Sequence, residues 1–181
     1  MSRRLAVFVL GLGLMGLAAA QPPKRFHAQL FGFDLTGQPV QTNAVGNAVV
    51  EVIDGGTALS FQVEVAGITN LFMAHIHVAP APVEVTEAAG PIAFWFTGGP
   101  PPEATVTERI NGNLAGGYII TDAQVDDWNS ADAGSGTVAG LIAAIEAGRA
   151  SVIVHTNDLD PNTPVGRAGD SPAGEIRGTL R

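Results

Sequence analysis

The chain has 181 residues, with nine Lys or Arg against seventeen Asp or Glu, and a formal charge of −8 at pH 7. A balance this acidic disfavours nucleic acid and anionic membrane surfaces as partners. It contains no cysteine, which excludes disulfide staples and thiolate metal ligands. Charged residues are few at 14%, while Gly and Pro number 23 and 12, a composition suited to short strands joined by many turns.

Residues 1–20 have the layout of a secretory signal peptide. Arg3 and Arg4 give a positive start, residues 5–17 are apolar, and Ala18-Ala19-Ala20 precede Gln21. The apolar run is short for a membrane span. The expectation is an exported protein, periplasmic or in the cell envelope, with no bilayer span once the leader is cleaved. Residues 21–181 are then long enough for a single domain with a real core.

From residue 26 the chain reads as strands punctuated by turns. A first strand over residues 26–33 precedes turn signals at Gly37 and Pro39. Residues 46–53 run into Asp54-Gly55-Gly56, a hairpin signal. Residues 57–66 then alternate Leu59, Phe61, Val63 and Val65 on one face with Ser60, Gln62 and Glu64 on the other. Residues 71–78 form a strand closed by Ala79-Pro80-Ala81-Pro82, and residues 92–96 a short aromatic strand stopped by Gly98-Gly99-Pro100-Pro101-Pro102. A further strand is expected over residues 117–120.

Two short helices interrupt this pattern. Thr121 and Gln124 make a capping-box pair ahead of Val125 and Trp128. Residues 137–147 carry Leu141, Ile142 and Ile145 on one face and end at Gly148. A β-branched strand over residues 150–156, a turn-rich stretch over 157–173 and a last strand over 175–181 complete the chain. The pattern predicts an all-β, antiparallel Greek-key sandwich or flattened barrel with two short helices.

The histidines are the residues most suggestive of chemistry. His75-Ile76-His77 lies inside a predicted strand, where alternation aims both imidazoles to one face and Ile76 to the core. His155 ends another strand, with Val152 and Val154 on the opposite face. If those strands are neighbours, three neutral nitrogens converge, a donor set suited to copper or zinc, with Cu(II) favoured by affinity order. The H-x-H pair alone is also common as a chance surface pattern. Asp158-x-Asp160-x-Asn162 begins like a calcium loop, but Thr163 and Gly169 stand where its sharp-turn Gly and bidentate Glu belong. It reads as a solvated loop whose aspartates could hydrogen-bond a ligand histidine.

Several of these segments resemble the chordin-type (CHRD) domain family. They are Ala74-His75-Ile76-His77, Leu141-Ile142-Ala143-Ala144-Ile145 with Ala147-Gly148, Val152-Ile153-Val154-His155-Thr156, and Ala173-Gly174-Glu175-Ile176-Arg177-Gly178. A more distant resemblance is to the copper/zinc superoxide dismutases, which also have an H-x-H strand, a later strand ending in V-x-His, a long loop, and then an arginine beside the copper. That resemblance implies His75, His77 and His155 as copper ligands and Arg177 as the arginine that guides superoxide. An ion pair of Arg177 with Glu175 or a loop aspartate is the alternative. No histidine lies between His77 and His155, so the implied site is copper-only, with no zinc expected. His27 is the candidate fourth ligand, or else an exposed strand residue. Arg109, Arg149 and Arg167 are the cations from which a local positive funnel could be built. The competing function is a non-catalytic envelope module that docks on other cell-envelope proteins.

Overall fold

A computed structural model describes residues 23–97, 99 and 106–181. The proposed leader and most of the Gly98 to Pro102 stop lie outside them. Eight strands form two four-stranded antiparallel sheets. In chain order they are β1 (Arg25–Leu30), β2 (Val45–Ile53), β3 (Ala58–Ile68), β4 (Leu71–Val78), β5 (Ile92–Thr97), β6 (Ile110–Ile120), β7 (Ala150–Thr156) and β8 (Ser171–Thr179). One sheet is ordered β1-β2-β3-β6 and the other β5-β4-β7-β8. The mostly-β antiparallel sandwich expected from the sequence is the fold observed.

Alternation builds the core. Ala48 and Val50 of β2, Leu59, Phe61, Val63 and Val65 of β3, Ala74, Ile76 and Val78 of β4, and Val152 and Val154 of β7 are all buried in one cluster between the sheets. Each fully buried aliphatic side chain of this size contributes roughly 1.5–3 kcal/mol. The helix α1 (Val138–Glu146) packs Val138, Leu141, Ala144 and Ile145 onto the same cluster. Its N-cap is Thr137, whose side chain accepts from the Gly140 N–H, and Gly148 follows its end at φ +69°.

β1 ends at Leu30 rather than residue 33, and β8 begins at Ser171, inside the stretch expected to be turns; two further elements depart more. The first expected helix is only a 3-10 turn, Asp122–Gln124, although its capping box with Thr121 is present. Its backbone returns to extended geometry at Val125, so the apolar Val125 and Trp128 reach the core from a loop. β6 begins at Ile110, well before the expected residue 117. The Asn- and Gly-rich stretch in between conceals a strand with three register shifts against β3. Bulges of this kind use Gly where φ is positive, as at Gly112 and Gly116.

The edges of the two sheets meet at β1 and β8. Paired backbone hydrogen bonds join Phe31 to Arg177 at 3.0 and 2.8 Å, and His27 to Arg181 at 2.8 and 3.0 Å. This seam, which flattens the sandwich toward a barrel, needs a residue without a side chain at its centre. A Cβ on Gly178 would sit 2.2 Å from the Gln29 carbonyl oxygen. Gly178→Ala should therefore force β1 off β8 and cost about 1–3 kcal/mol, as overpacking generally does. Thermal melts would register this as a clear drop in Tm. An unchanged Tm would mean that the two strands do not approach this closely.

Candidate metal centre

β4 lies between β5 and β7, and its antiparallel register with β7 sets Met73 opposite His155, His75 opposite Ile153 and His77 opposite Ser151. Because Ala74, Ile76, Val152 and Val154 face the core, the histidines occupy the outer face of this sheet. His155 is thus the diagonal neighbour of His75, close enough across an antiparallel pair for long side chains to touch. The ring centroids are 4.4 Å apart for His75 and His155, 4.6 Å for His75 and His77, and 6.1 Å for His77 and His155. One ring nitrogen from each lies within 4.8 Å of the others. The strands of the H-x-H pair and of His155 are neighbours, and the three imidazoles are brought together.

An outer sheet face would ordinarily be wet, yet His75, His77 and His155 are only 1%, 5% and 1% exposed. The segment between β4 and β5 and the start of β8 each supply one anchoring carbonyl. His77 donates its Nδ1 proton to the Gly90 oxygen at 2.7 Å, and His155 donates its own to the Pro172 oxygen at 2.9 Å. A carbonyl can only accept, so each bond fixes the tautomer and leaves Nε2 as a bare lone pair. Both Nε2 atoms are buried and unpartnered, as are both ring nitrogens of His75. Gly90 is held at φ +83°, and a Cβ there would strike the Val78 oxygen at 2.3 Å. A side chain at that position would displace the carbonyl that orients His77.

The electrostatics keep the cluster unprotonated. Burial, then the neighbouring His155 and His77, push His75 down to about 2. Burial also lowers His155 to about 4, against the bond to Pro172, which acts to raise it. His77 is lowered by burial and by the positive charge of Arg177, against its bond to Gly90. Neutral imidazole is the form that ligates metal.

The remaining expected residues fare differently. His27 is on β1, in the other sheet, at an exposed position. It lines a pocket with Arg25, Glu51 and Gln62 and is not brought together with the other three histidines. Alternation on β1 turned Phe26 and Ala28 inward and His27 outward. Arg177 does lie beside His77, but it is fully buried. Its guanidinium donates to the carbonyls of Glu84, Val85 and Glu87 and, at 3.3 Å, to Ser151 Oγ. It holds residues 84–87 in place rather than pairing with Glu175. Glu175, also fully buried, accepts instead from Thr42 and Thr156 Oγ1 and from the Gly169 N–H at 2.6, 2.7 and 2.7 Å.

The loop aspartates do not reach the histidines through these bonds. Asp158 accepts from Thr163 and pairs with Arg167, while Asp160 accepts from Asn162. Backbone carbonyls took that orienting role, and no residue type marks a carbonyl in a sequence. Nor do the expected cations form a free funnel. Arg149 is paired with Asp132 and Arg167 with Asp158, and Arg109 lies against Gly67. Trp95 lies edge-on to His75 with centroids 4.7 Å apart, although its sequence context marks it only as part of an aromatic strand. Its register with His75 is a tertiary property.

These depressed histidines make the metal-free protein acid-sensitive. An unfolded imidazole takes up its proton near pH 6.5, whereas folded His155 does so only near 4. Between those values the unfolded chain binds more protons, so stability is full above pH 6.5 and falls as the pH drops. Going from pH 7 to 4, His155 alone should remove about 3 kcal/mol. Denaturant titrations of chelator-treated protein at the two pH values would measure this, and stability that stays flat to pH 4 would contradict the burial.

Among the described residues no helix is long and apolar enough to cross a membrane. Comparison with curated proteins and with solved structures returns no match. The family model of the CHRD domain matches residues 26–162. That span contains all of β1 but Arg25, β2 through β7 and all three clustered histidines, and it stops short of β8. The chain belongs to the CHRD domain family.

Proposed function

We propose that this chain is an exported copper protein of superoxide-dismutase type, with His75, His77 and His155 as the copper ligands and no zinc partner site. One observation carries the reading: three neutral imidazoles, each with a buried, unpartnered nitrogen, bring one ring nitrogen apiece within 4.8 Å of the others. Leaving a buried polar atom unsatisfied costs about 1–3 kcal/mol. A cation among the three rings would satisfy one nitrogen of each at once. Imidazole donors suit copper and zinc alike, and the affinity order of the divalent ions favours copper.

Bound copper would supply the one-electron couple that superoxide dismutation requires. The chain's own residues have simpler tasks. The Gly90 and Pro172 carbonyls hold two imidazoles in the ligating tautomer, as outer partners of metal-bound histidines commonly do. Arg177 keeps a fixed positive charge beside His77, and its Nε is a buried donor without a partner. A small anion such as superoxide would be drawn to that charge. Residues 1–20 support export, which N-terminal sequencing of secreted protein would test.

The burial of the unpartnered ring nitrogens favours a second reading. A copper ion enclosed in this way suits a non-catalytic envelope module that holds metal or docks on other envelope proteins. The two readings part on turnover.

Purified protein should take up about one copper per chain. At copper concentrations about a hundred times Kd, binding should add about 2.7 kcal/mol to stability. His75→Ala with His77→Ala should abolish both effects. Superoxide removal that appears with copper and vanishes in the double variant supports the enzyme. Copper uptake without turnover supports the module, and absence of copper uptake ends both.

A further inference from the structure

The outer face of β4 carries a soft donor beside the imidazoles. Ala74 and Ile76 face the core, so alternation puts Met73 on the same face as His75 and His77. Its register partner on β7 is His155. Residues directly opposed in an antiparallel pair hold their Cβ atoms about 4.5–5.5 Å apart. Met73 is therefore next to His75 along one strand and next to His155 across the ladder, the two rings that lie closest together at 4.4 Å. It is half-buried and belongs to no part of the core cluster, so its flexible thioether is not committed elsewhere. The chain has no Cys and three Met, the others being Met1 and Met15. Met73 is thus the sulfur of residues 21–181.

We propose that Met73 completes the His75, His77 and His155 centre as a fourth, thioether donor, giving a site that prefers Cu(I) to zinc. The inference rests on the copper reading above and refines it. Thioether sulfur is a soft ligand that selects Cu(I), whereas imidazole alone discriminates little among copper, zinc and nickel. Four neutral donors in a shielded site also favour the lower charge of Cu(I), because burying net charge is costly. The donor is one that no search for a fourth histidine would find.

X-ray absorption on Cu(I)-loaded full-length protein tests this directly. A sulfur shell should accompany the nitrogen shell, be replaced by selenium in selenomethionine-labelled protein, and vanish in Met73→Leu. That substitution conserves volume and is usually tolerated. If the variant nevertheless fails to fold, the selenium readout on the wild-type sequence still decides. Competition with a chromophoric chelator should show Cu(I) affinity falling on the order of tenfold in Met73→Leu, with zinc affinity unchanged. A nitrogen-only shell with equal Cu(I) affinity in both proteins overturns the role of Met73 and leaves the three-histidine site standing. Copper uptake that is absent, or that survives His75→Ala with His77→Ala, overturns both.

Discussion

Two backbone carbonyls decide what the histidine cluster can be. By accepting the Nδ1 protons of His77 and His155, Gly90 and Pro172 turn two ambiguous rings into oriented lone-pair donors. Without those bonds either ring could rotate or hold its proton on the other nitrogen, and the convergence would be lost. The loop that carries Gly90 and the loop that leads into β8 at Pro172 are therefore part of the site, and what anchors them matters as much as the ligands.

Both anchors come from β8, a strand with no histidine of its own. Arg177 draws in the carbonyls of residues 84–87, upstream of Gly90. Glu175, two positions earlier, gathers Thr156 and Gly169, on either side of the loop that leads to Pro172, together with Thr42 from the segment before β2. Each is an ionisable side chain buried away from water, which is tolerable only when several hydrogen bonds replace hydration. The two do not neutralise each other. One accepts three hydrogen bonds and the other donates to three carbonyls and a hydroxyl, so each clamps a different loop. The β1–β8 seam holds this strand at the closed edge of the barrel, with Gly178 permitting the close approach.

The site is also divided from the core with little overlap. Ile76, Val152 and Val154 belong to the space between the sheets, while His75, His77, Ile153 and His155 belong to the outer face beneath the loops. Strand alternation makes such a division sharp, because a shift of one residue would exchange the two sets. The register of β4 with β7 is therefore common to the core and to the proposed metal centre. A sequence that preserved one while scrambling the other would be difficult to build.

How much of this could be read from residues alone follows from which interactions are local. The strand positions, the hairpin at Asp54-Gly55-Gly56, the helix with Thr137 and Gly148 at its ends, and the shared face of His75 and His77 all follow from alternation and capping, which act over a few residues. The bulged start of β6 at Ile110 and the collapse of the first helix to the turn Asp122–Gln124 did not follow, because pairing with β3 and packing of Val125 and Trp128 outweighed local propensity. The nearness of His155 to the early pair, the separation of His27 on another sheet, and the capture of Arg177 by loop carbonyls were settled only by the tertiary structure. They depend on strand order and on backbone oxygens, which every residue possesses and no side-chain pattern can announce.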